Sequence, residues 1–152
     1  MKLLRSLFCG PIIFITLIFS FSTFANEPVY TSFYSNNGLS GYDTVAYFEL
    51  GKPTKGKSDY QSYYNGANWL FSSKKHLELF EQDPEKYLPQ YGGYCAWGVA
   101  HGYLVSSDPT QWRIVNGKLY TNYNRSVANS WKRDSKNQII QGDINWPNLI
   151  LN

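Results

Sequence analysis

The sequence predicts a small α+β domain in which two β-hairpins pack with short helices. Asn-Gly pairs at positions 65–66 and 116–117 are each flanked by aromatic or β-branched residues, and such pairs are typical of two-residue type I′ hairpin turns. A segment with apolar residues at helical spacing follows each hairpin. The chain therefore reads as two hairpin-then-helix units, although their side-chain patterns differ too much to indicate a duplication.

The N-terminus of the chain predicts a signal peptide that occupies residues 1–25. Lys2 and Arg5 supply the positive charge, an apolar run follows, and small residues in the closing "STFA" fit a cleavage site. An uncleaved membrane anchor is the alternative, because the uncharged stretch over residues 6–26 is long enough to span a bilayer. We expect cleavage, and a mature protein that is periplasmic or secreted and has no contact with the membrane.

Cleavage would remove 25 of the 152 residues and leave 127, enough for one domain with a proper core. We expect an extended N-terminal segment over residues 26–37 and the folded domain over residues 38–150. The mature chain keeps 12 of its 14 basic residues against 11 acidic ones, a net charge of about +1. This balance argues against a nucleic-acid partner, which requires a basic surface.

The mature chain has a single cysteine, Cys95, because Cys9 lies inside the predicted signal peptide. An intramolecular disulfide is therefore excluded, even though the expected compartment would permit one. Aromatic residues make up 18% of the sequence. Since aromatic rings bury large areas while Tyr and Trp keep a polar edge, we expect stability to come from a core built on aromatic side chains.

The first half of the chain predicts one hairpin and one helix. In chain order we expect an extended, turn-rich lead-in over 26–41, a short strand over 42–48, a loop over 49–58, the first hairpin over 59–71 and a helix over 72–88. Ser72 or Ser73 would cap that helix, and Asp83-Pro84 would end it or start a further turn.

The second half predicts a similar arrangement. We expect a short helix lined by small residues over 92–102, a turn over 106–111, the second hairpin over 112–123, a helix over 124–134, and a tail with a short helix followed by a packed Trp-Pro pair.

Four stretches make the chain similar to a known family. "GYDTVAYFELGKPTKG", "YNGANWLFSSKKHLELFEQDPEKYLPQYGGYCAWGVAHG", "VNGKLYTNYN" and "NWPNL" resemble the YHS-domain family, and most closely its exported stand-alone members. The resemblance covers Gly38 to Leu149. It implies a small α+β domain associated with metals, so that a transition metal ion such as copper or zinc, or a small molecule, is the expected ligand.

The chain departs from the family at the junction between strand and helix. Metal-associated members carry a Phe-Cys-Ser-x-x-Cys pattern there, whereas this sequence has Ser72 and His76 at the two cysteine positions. Serine is a poor ligand for soft metals, so the thiolate pair is missing. His76 is still a suitable ligand type.

Three residues are candidate metal ligands: His76, Cys95 and His101. Each also has a simpler interpretation. His76 would be a partly buried histidine bonded to a neighbour, Cys95 a small core residue, and His101 a histidine at a helix C-terminus. The short connection between the helices that contain His76 and Cys95 lets the chain fold back on itself. We therefore expect a short distance between these two side chains, with His101 farther away and exposed.

Tyrosines form a second signal. Tyrosine side chains can line either the rim of a small core or a pocket for a small polar or aromatic ligand. The tyrosines concerned are Tyr42, Tyr91, Tyr94, Tyr103, Tyr120 and Tyr123.

These observations predict an exported small binding module for a metal ion or small ligand, without catalytic activity. A protein-interaction domain of the cell envelope that binds no metal is the alternative. A cysteine-dependent enzyme is a weaker one, because Cys95 with a histidine would be its only nucleophile and base. The sequence has no Gly-x-Ser-x-Gly and no His-Glu-x-x-His motif.

Overall fold

The computed structural model of the protein describes residues 27–151, and the predicted signal peptide with Cys9 lies outside them. Over these described residues, two separate two-stranded antiparallel sheets and six α-helices form the α+β fold that the sequence predicts. Within the described part of the chain, no helix has both the length and the apolar character needed to cross a bilayer.

The first half begins with an irregular segment and a 3-10 turn. Its elements are the first 3-10 turn (Gly38–Gly41), α1 (Thr44–Glu49), β1 (Lys57–Tyr64), β2 (Ala67–Phe71), α2 (Lys74–Gln82) and α3 (Pro84–Tyr87).

The second half follows directly. Its elements are the second 3-10 turn (Gln90–Gly93), α4 (Ala96–Ala100), β3 (Asp108–Val115), β4 (Lys118–Asn122), α5 (Arg125–Arg133) and α6 (Ser135–Leu151).

Both hairpins turn at the Asn-Gly pairs, as predicted. Asn65 and Gly66 have φ of 54° and 84°, and Asn116 and Gly117 have φ of 51° and 73°. Positive φ at both central residues is the type I′ geometry, which matches the twist of the flanking strands. The side chain of Ser73 caps α2 by accepting a hydrogen bond from the amide of His76 at 3.2 Å, which confirms one of the two predicted caps.

The two hairpins share the same irregularity in register. The pairing in the first hairpin shifts between Lys57 and Gln61, and the pairing in the second shifts between Asp108 and Trp112. In both hairpins the outermost pair joins the first residue of the first strand to the last residue of the second strand. These pairs are Lys57 with Phe71 and Asp108 with Asn122.

The segments before the hairpins correspond as well. Asn37 and Pro89, which precede the two 3-10 turns, form parallel bridges to Asn68 and Leu119, the second residues of β2 and β4. Left-handed φ values occur inside both 3-10 turns. The fold is therefore two equivalent halves, each built as 3-10 turn, short helix, hairpin and helix, followed by α6.

Each half contributes its own group of buried aromatic residues, which confirms the aromatic core. The first cluster contains Val29, Leu39, Val45, Tyr47, Ala67, Trp69, Phe71, Phe80, Tyr87, Leu88 and Leu119. The second contains Tyr91, Ala96, Val99, Tyr120 and Trp131. Trp131 on α5 and Phe80 on α2 are buried at equivalent places, one in each cluster.

The predicted strand over 42–48 is wrong, because these residues form α1. Val45 and Tyr47 are strand-prone types, but Asp43 accepts a hydrogen bond from the Ala46 amide at 3.1 Å and starts a helix. The helix then buries residues 44–47 consecutively against the first core cluster. Capping and tertiary burial thus outweigh the local preference for a strand.

Two further predictions in the second half need correction. The predicted turn over 106–111 contains the start of β3, because Asp108 already pairs with Asn122. The tail forms one 17-residue helix that continues through Pro147. The ring of Trp146 packs on the rings of Tyr91 and Tyr94, and this packing holds the helix against the core where proline removes a backbone donor.

Candidate binding site around Asp43 and His76

Asp43 is a fully buried carboxylate at the start of α1. One of its oxygens, Oδ1, accepts the bond from the Ala46 amide that caps the helix. The other oxygen, Oδ2, faces the junction between β2 and α2. A buried carboxylate requires several hydrogen-bond donors, and this junction supplies them.

Ser72 gives Asp43 two of these bonds. Its backbone amide lies 2.8 Å from Oδ2, and its hydroxyl lies 2.6 Å from the same oxygen. Ser72 is the first residue after β2, so Asp43 fastens the end of the hairpin to α1. The serine therefore has a clear structural task at a position where the family pattern has a cysteine.

His76 completes the cluster from the first turn of α2. Its Nδ1 lies 2.6 Å from Asp43 Oδ2 and 3.3 Å from the Ser72 hydroxyl. Because a carboxylate only accepts, Nδ1 carries a proton, and in the neutral imidazole Nε2 is then the unprotonated ring nitrogen. Within residues 27–151 Nε2 has no hydrogen-bond partner, and the side chain keeps 9% of its surface exposed.

The cluster contains serine, histidine and aspartate, but it lacks the connectivity of a hydrolase triad. In such a triad the carboxylate holds one imidazole nitrogen and the serine faces the other. Here Ser72 and Asp43 both lie on the Nδ1 side of His76, and the serine hydroxyl donates to the carboxylate. Nε2 therefore does not contact the serine, so this geometry does not activate Ser72 as a nucleophile.

The converging atoms of the cluster do not fit an enclosed metal ion. Zinc ligands at 2.0–2.2 Å in a tetrahedral site lie roughly 3.4 Å from one another, whereas Asp43 Oδ2 lies 2.6 Å from both Ser72 Oγ and His76 Nδ1. These two short distances are hydrogen bonds, in which a proton lies between the two atoms. A metal ion would find one suitable atom here, Nε2 of His76, backed by the carboxylate support that metal-ligating histidines commonly have.

Cys95 occupies the place in the second half that Asp43 has in the first. It precedes α4 as Asp43 precedes α1. Its Sγ accepts a bond from the Tyr123 amide at 3.3 Å, just as Asp43 accepts from the amide of Ser72. The thiol is fully buried and also lies 3.7 Å from Asn122 Oδ1. This environment fits the interpretation of Cys95 as a core residue, because reactive thiols are partly exposed.

His101 lies at the C-terminal end of α4 and is exposed, as predicted. Its Nδ1 lies 2.7 Å from the carbonyl oxygen of Trp97, and its ring stacks on the Trp97 ring at 3.8 Å.

The structure gives the three candidate ligands separate partners. His76 bonds to Asp43 and Ser72, while Cys95 bonds to Asn122 and Tyr123. Over residues 27–151 no group of three or more His, Cys, Asp or Glu side chains is placed to hold a metal ion. An ion or ligand shared by His76 and Cys95, with His101 farther away, remains a prediction of the sequence.

The tyrosines are divided between the core and its rim. Tyr91 and Tyr120 are buried, Tyr42 and Tyr94 are half-buried, and Tyr103 and Tyr123 are exposed. Burial raises the pKa of Tyr120 to about 12. Burial, together with a 2.9 Å hydrogen bond to Asp143, also raises the pKa of Tyr91.

Sequence reasoning missed Asp43, which is the centre of the cluster. The available signal was an Asp followed directly by Thr-Val-Ala-Tyr, since Asp is a strong N-cap residue. The strand-prone residues after it concealed that signal.

Comparison with known proteins supports the resemblance over part of the chain. The YHS domain family model matches residues 45–91, which begin within α1 and end in the second 3-10 turn. The match therefore covers most of the first half of the fold and includes Ser72 and His76. No curated protein matches the chain, and no solved structure matches it.

Proposed function

Starting from the YHS-domain match over residues 45–91, we propose that the protein is an exported small binding module whose contact atom is Nε2 of His76. The observation that carries this proposal is the 2.6 Å bond between Asp43 and His76 Nδ1. That bond fixes the ring, and in the neutral imidazole Nε2 is then an acceptor. His76 also stands at a position where the family pattern has a cysteine.

The proposed ligand is a metal ion held by one protein atom or a small molecule that donates a hydrogen bond. A single imidazole leaves most coordination positions of a metal to water, so binding would be weaker than in a closed site with three or four protein ligands. Copper and zinc are the appropriate ions, since both accept imidazole ligands.

Titration of the mature protein with Zn²⁺ and Cu²⁺, followed by calorimetry, tests this proposal. We expect one weak site that is lost in His76→Gln. His101→Gln is the matched control, because it removes an exposed histidine whose Nδ1 bonds to a backbone oxygen instead of a carboxylate. Absence of saturable binding of both ions, or equal loss of binding in both variants, would contradict metal binding at His76.

Export is the second part of the proposal. The charged N-terminus, the apolar run and the small residues before position 26 support it. Sequencing of the N-terminus of protein from its own host should find Asn26 first. Met1 retained in the membrane fraction would show that the segment is an anchor.

A protein-interaction domain is the alternative that a specific surface favours. Ile140, Ile144 and Leu151 are 46%, 59% and 69% exposed on α6, and their spacing places them on one face of the helix. An exposed apolar stripe of this kind can mark a partner surface. A stoichiometric partner from the host envelope that is retained by the wild type and lost with Ile144→Lys would favour this function.

A further inference from the structure

A polar cavity of about 210 Å³ lies between β3 and α5, in the second half of the molecule. Its walls are formed by Thr110, Gln111, Trp112, Arg113, Asn122, Ala128, Asn129, Trp131 and Lys132. The cavity shares no residue with the cluster around Asp43 and His76.

The charge of this cavity is entirely positive. Arg113 and Lys132 line it, and no carboxylate from residues 27–151 does. Neither cation forms an ion pair with an acidic residue among those the structure describes. Both side chains are exposed and can therefore turn towards a bound anion. Two unpaired cations at one concave surface produce a local positive potential.

The inner wall of the cavity offers a neutral donor from Asn122. This residue is 2% exposed, and its Oδ1 accepts a 3.1 Å bond from the Trp97 amide. Because a backbone amide can only donate, that bond fixes which amide atom is oxygen and which is nitrogen. Nδ2 is thus a donor, and no residue within 27–151 accepts a hydrogen bond from it.

Trp131 supplies a second donor without a partner at the same wall. Its side chain is 1% exposed, and its buried Nε1 has no hydrogen-bond partner in the described part of the molecule. Buried donors are normally paired. A buried donor without a partner beside two unpaired cations indicates that the missing partner is an acceptor, and a negatively charged one.

The equivalent surface of the first half has the opposite character. When the two hairpins and the caps of α2 and α5 are matched, Asn122, Asn129 and Lys132 correspond to Phe71, Glu78 and Glu81. That list of an apolar and two acidic residues contains no cation. The basic and donor-rich lining is therefore particular to the second half, and the fold itself does not require it.

We propose that this cavity binds a compact oxoanion, of which phosphate and sulfate are the simplest examples. Its volume equals the share of about seven waters in the liquid, which accommodates a tetrahedral oxoanion with part of its hydration shell. Arg113 and Lys132 provide charge-assisted bonds. Asn122 Nδ2 provides a neutral one, and Trp131 Nε1, which has no partner within residues 27–151, is the second neutral donor of this wall.

Nitrogen-15 NMR of the mature protein, titrated separately with inorganic phosphate and with sulfate at constant ionic strength made up with chloride, tests the proposal. We expect saturable shifts of the Asn122 side-chain amide and the Trp131 indole. The double variant Arg113→Gln/Lys132→Gln should weaken binding at least tenfold. Lys118→Gln, which removes one exposed charge outside the cavity, and His76→Gln should leave it unchanged.

Two results would overturn the proposal. One is the absence of saturation at either resonance in the wild type. The other is an equal affinity of the double variant and the wild type, because the shifts would then reflect nonspecific screening of surface charge by the added anion. Circular dichroism of each variant confirms folding, which these exposed substitutions should not alter. Since His76→Gln is included, failure here is distinguishable from failure of the His76 site.

Discussion

Asp43 joins three segments of the chain through one carboxylate. It accepts hydrogen bonds from Ala46 in α1, from the amide and hydroxyl of Ser72 after β2, and from His76 in α2. Burial makes each of these bonds costly to lose, because an unpaired donor in the core cannot turn to water. Stability and the orientation of His76 therefore depend on the same residue.

Replacement of Asp43 by Asn tests this dependence. The amide keeps the volume but presents a donor to groups that already donate, so we expect the free energy of unfolding to fall by about 3 kcal/mol. Urea denaturation measures the change. Asp59→Asn is the control, since Asp59 is an exposed residue of β1 and its substitution should cost less than about 0.5 kcal/mol. Equal effects of the two variants would show that the cluster contributes little.

Cys95 should tolerate substitution better than a buried ring does. Cys95→Ala leaves a small void and removes one weak acceptor, whereas Phe80→Ala removes a fully buried ring that contacts Tyr64, Trp69 and Phe71. We expect a cost of about 1–2 kcal/mol for the cysteine and about 3–5 kcal/mol for the phenylalanine. Urea midpoints of both variants check the order, and an unfolded Cys95→Ala protein would reverse it.

At the scale of elements, α6 depends on the absence of a side chain at Gly142. A Cβ built there would lie 2.5 Å from the hydroxyl of Tyr91 and 2.8 Å from its ring carbon Cζ. Helix and ring can approach this closely only because glycine leaves the space open. The same approach lets Tyr91 bond to Asp143, one residue farther along the helix.

We therefore expect Gly142→Ala to destabilise the protein although alanine favours helices. The gain in helix propensity is about 1 kcal/mol, and the forced displacement of a buried ring costs about 1–3 kcal/mol. The net change in thermal midpoint should be downward. Gln141→Ala, at an exposed neighbouring position, should raise the midpoint slightly or leave it unchanged. A stabilised Gly142→Ala variant would show that α6 packs loosely on Tyr91.

Elements with strong local signals could be predicted from the sequence. The Asn-Gly turns, the Ser73 cap and the break at Asp83-Pro84 depend on a few adjacent residues, and each occurs where expected. Helix α1 could not be recognised in this way. Its hydrophobic run fits a strand equally well, and the choice depends on the Asp43 cap together with burial of residues 44–47 against the core.

At the scale of the whole molecule, two equivalent halves carry different chemistry. Asp43 and Cys95 occupy equivalent places, as do His76 and Val127 when the caps of α2 and α5 are matched. Because the residue types at these places differ, the sequence alone conceals the correspondence. Only backbone features such as the shared register shift make it visible. The candidate site could therefore be predicted only in part. His76 was recognised from its position in the family pattern, whereas its partner Asp43 is visible only in the folded structure.

Alkaline conditions should destabilise the whole domain through its buried tyrosines. The pKa of Tyr120 rises from 10.0 to about 12 because of burial, and burial also raises the pKa values of Tyr47 and Tyr91. The unfolded chain loses these protons first. The stabilisation is therefore complete below pH 10 and is lost as the pH rises from about 10 to 12 and beyond.

Urea midpoints measured across this range check the alkaline transition. Tyr120→Phe is the matched variant, since the structure shows no hydrogen bond of the Tyr120 hydroxyl within the described residues, and it should lower the slope of stability against pH. A stability that stays constant above pH 10 would contradict the burial of these phenols.

Asp43 holds the His76 ring with Nε2 free to contact a ligand. Nitrogen-15 NMR of histidine-labelled mature protein near neutral pH tests this arrangement most directly, with Asp43→Asn for comparison and His76→Gln to assign the resonances. We expect a protonated Nδ1 and an unprotonated Nε2 in His76 of the wild type, and loss of this fixed tautomer in Asp43→Asn. A wild-type His76 that carries its proton on Nε2, or that exchanges between tautomers as a free imidazole does, would contradict it.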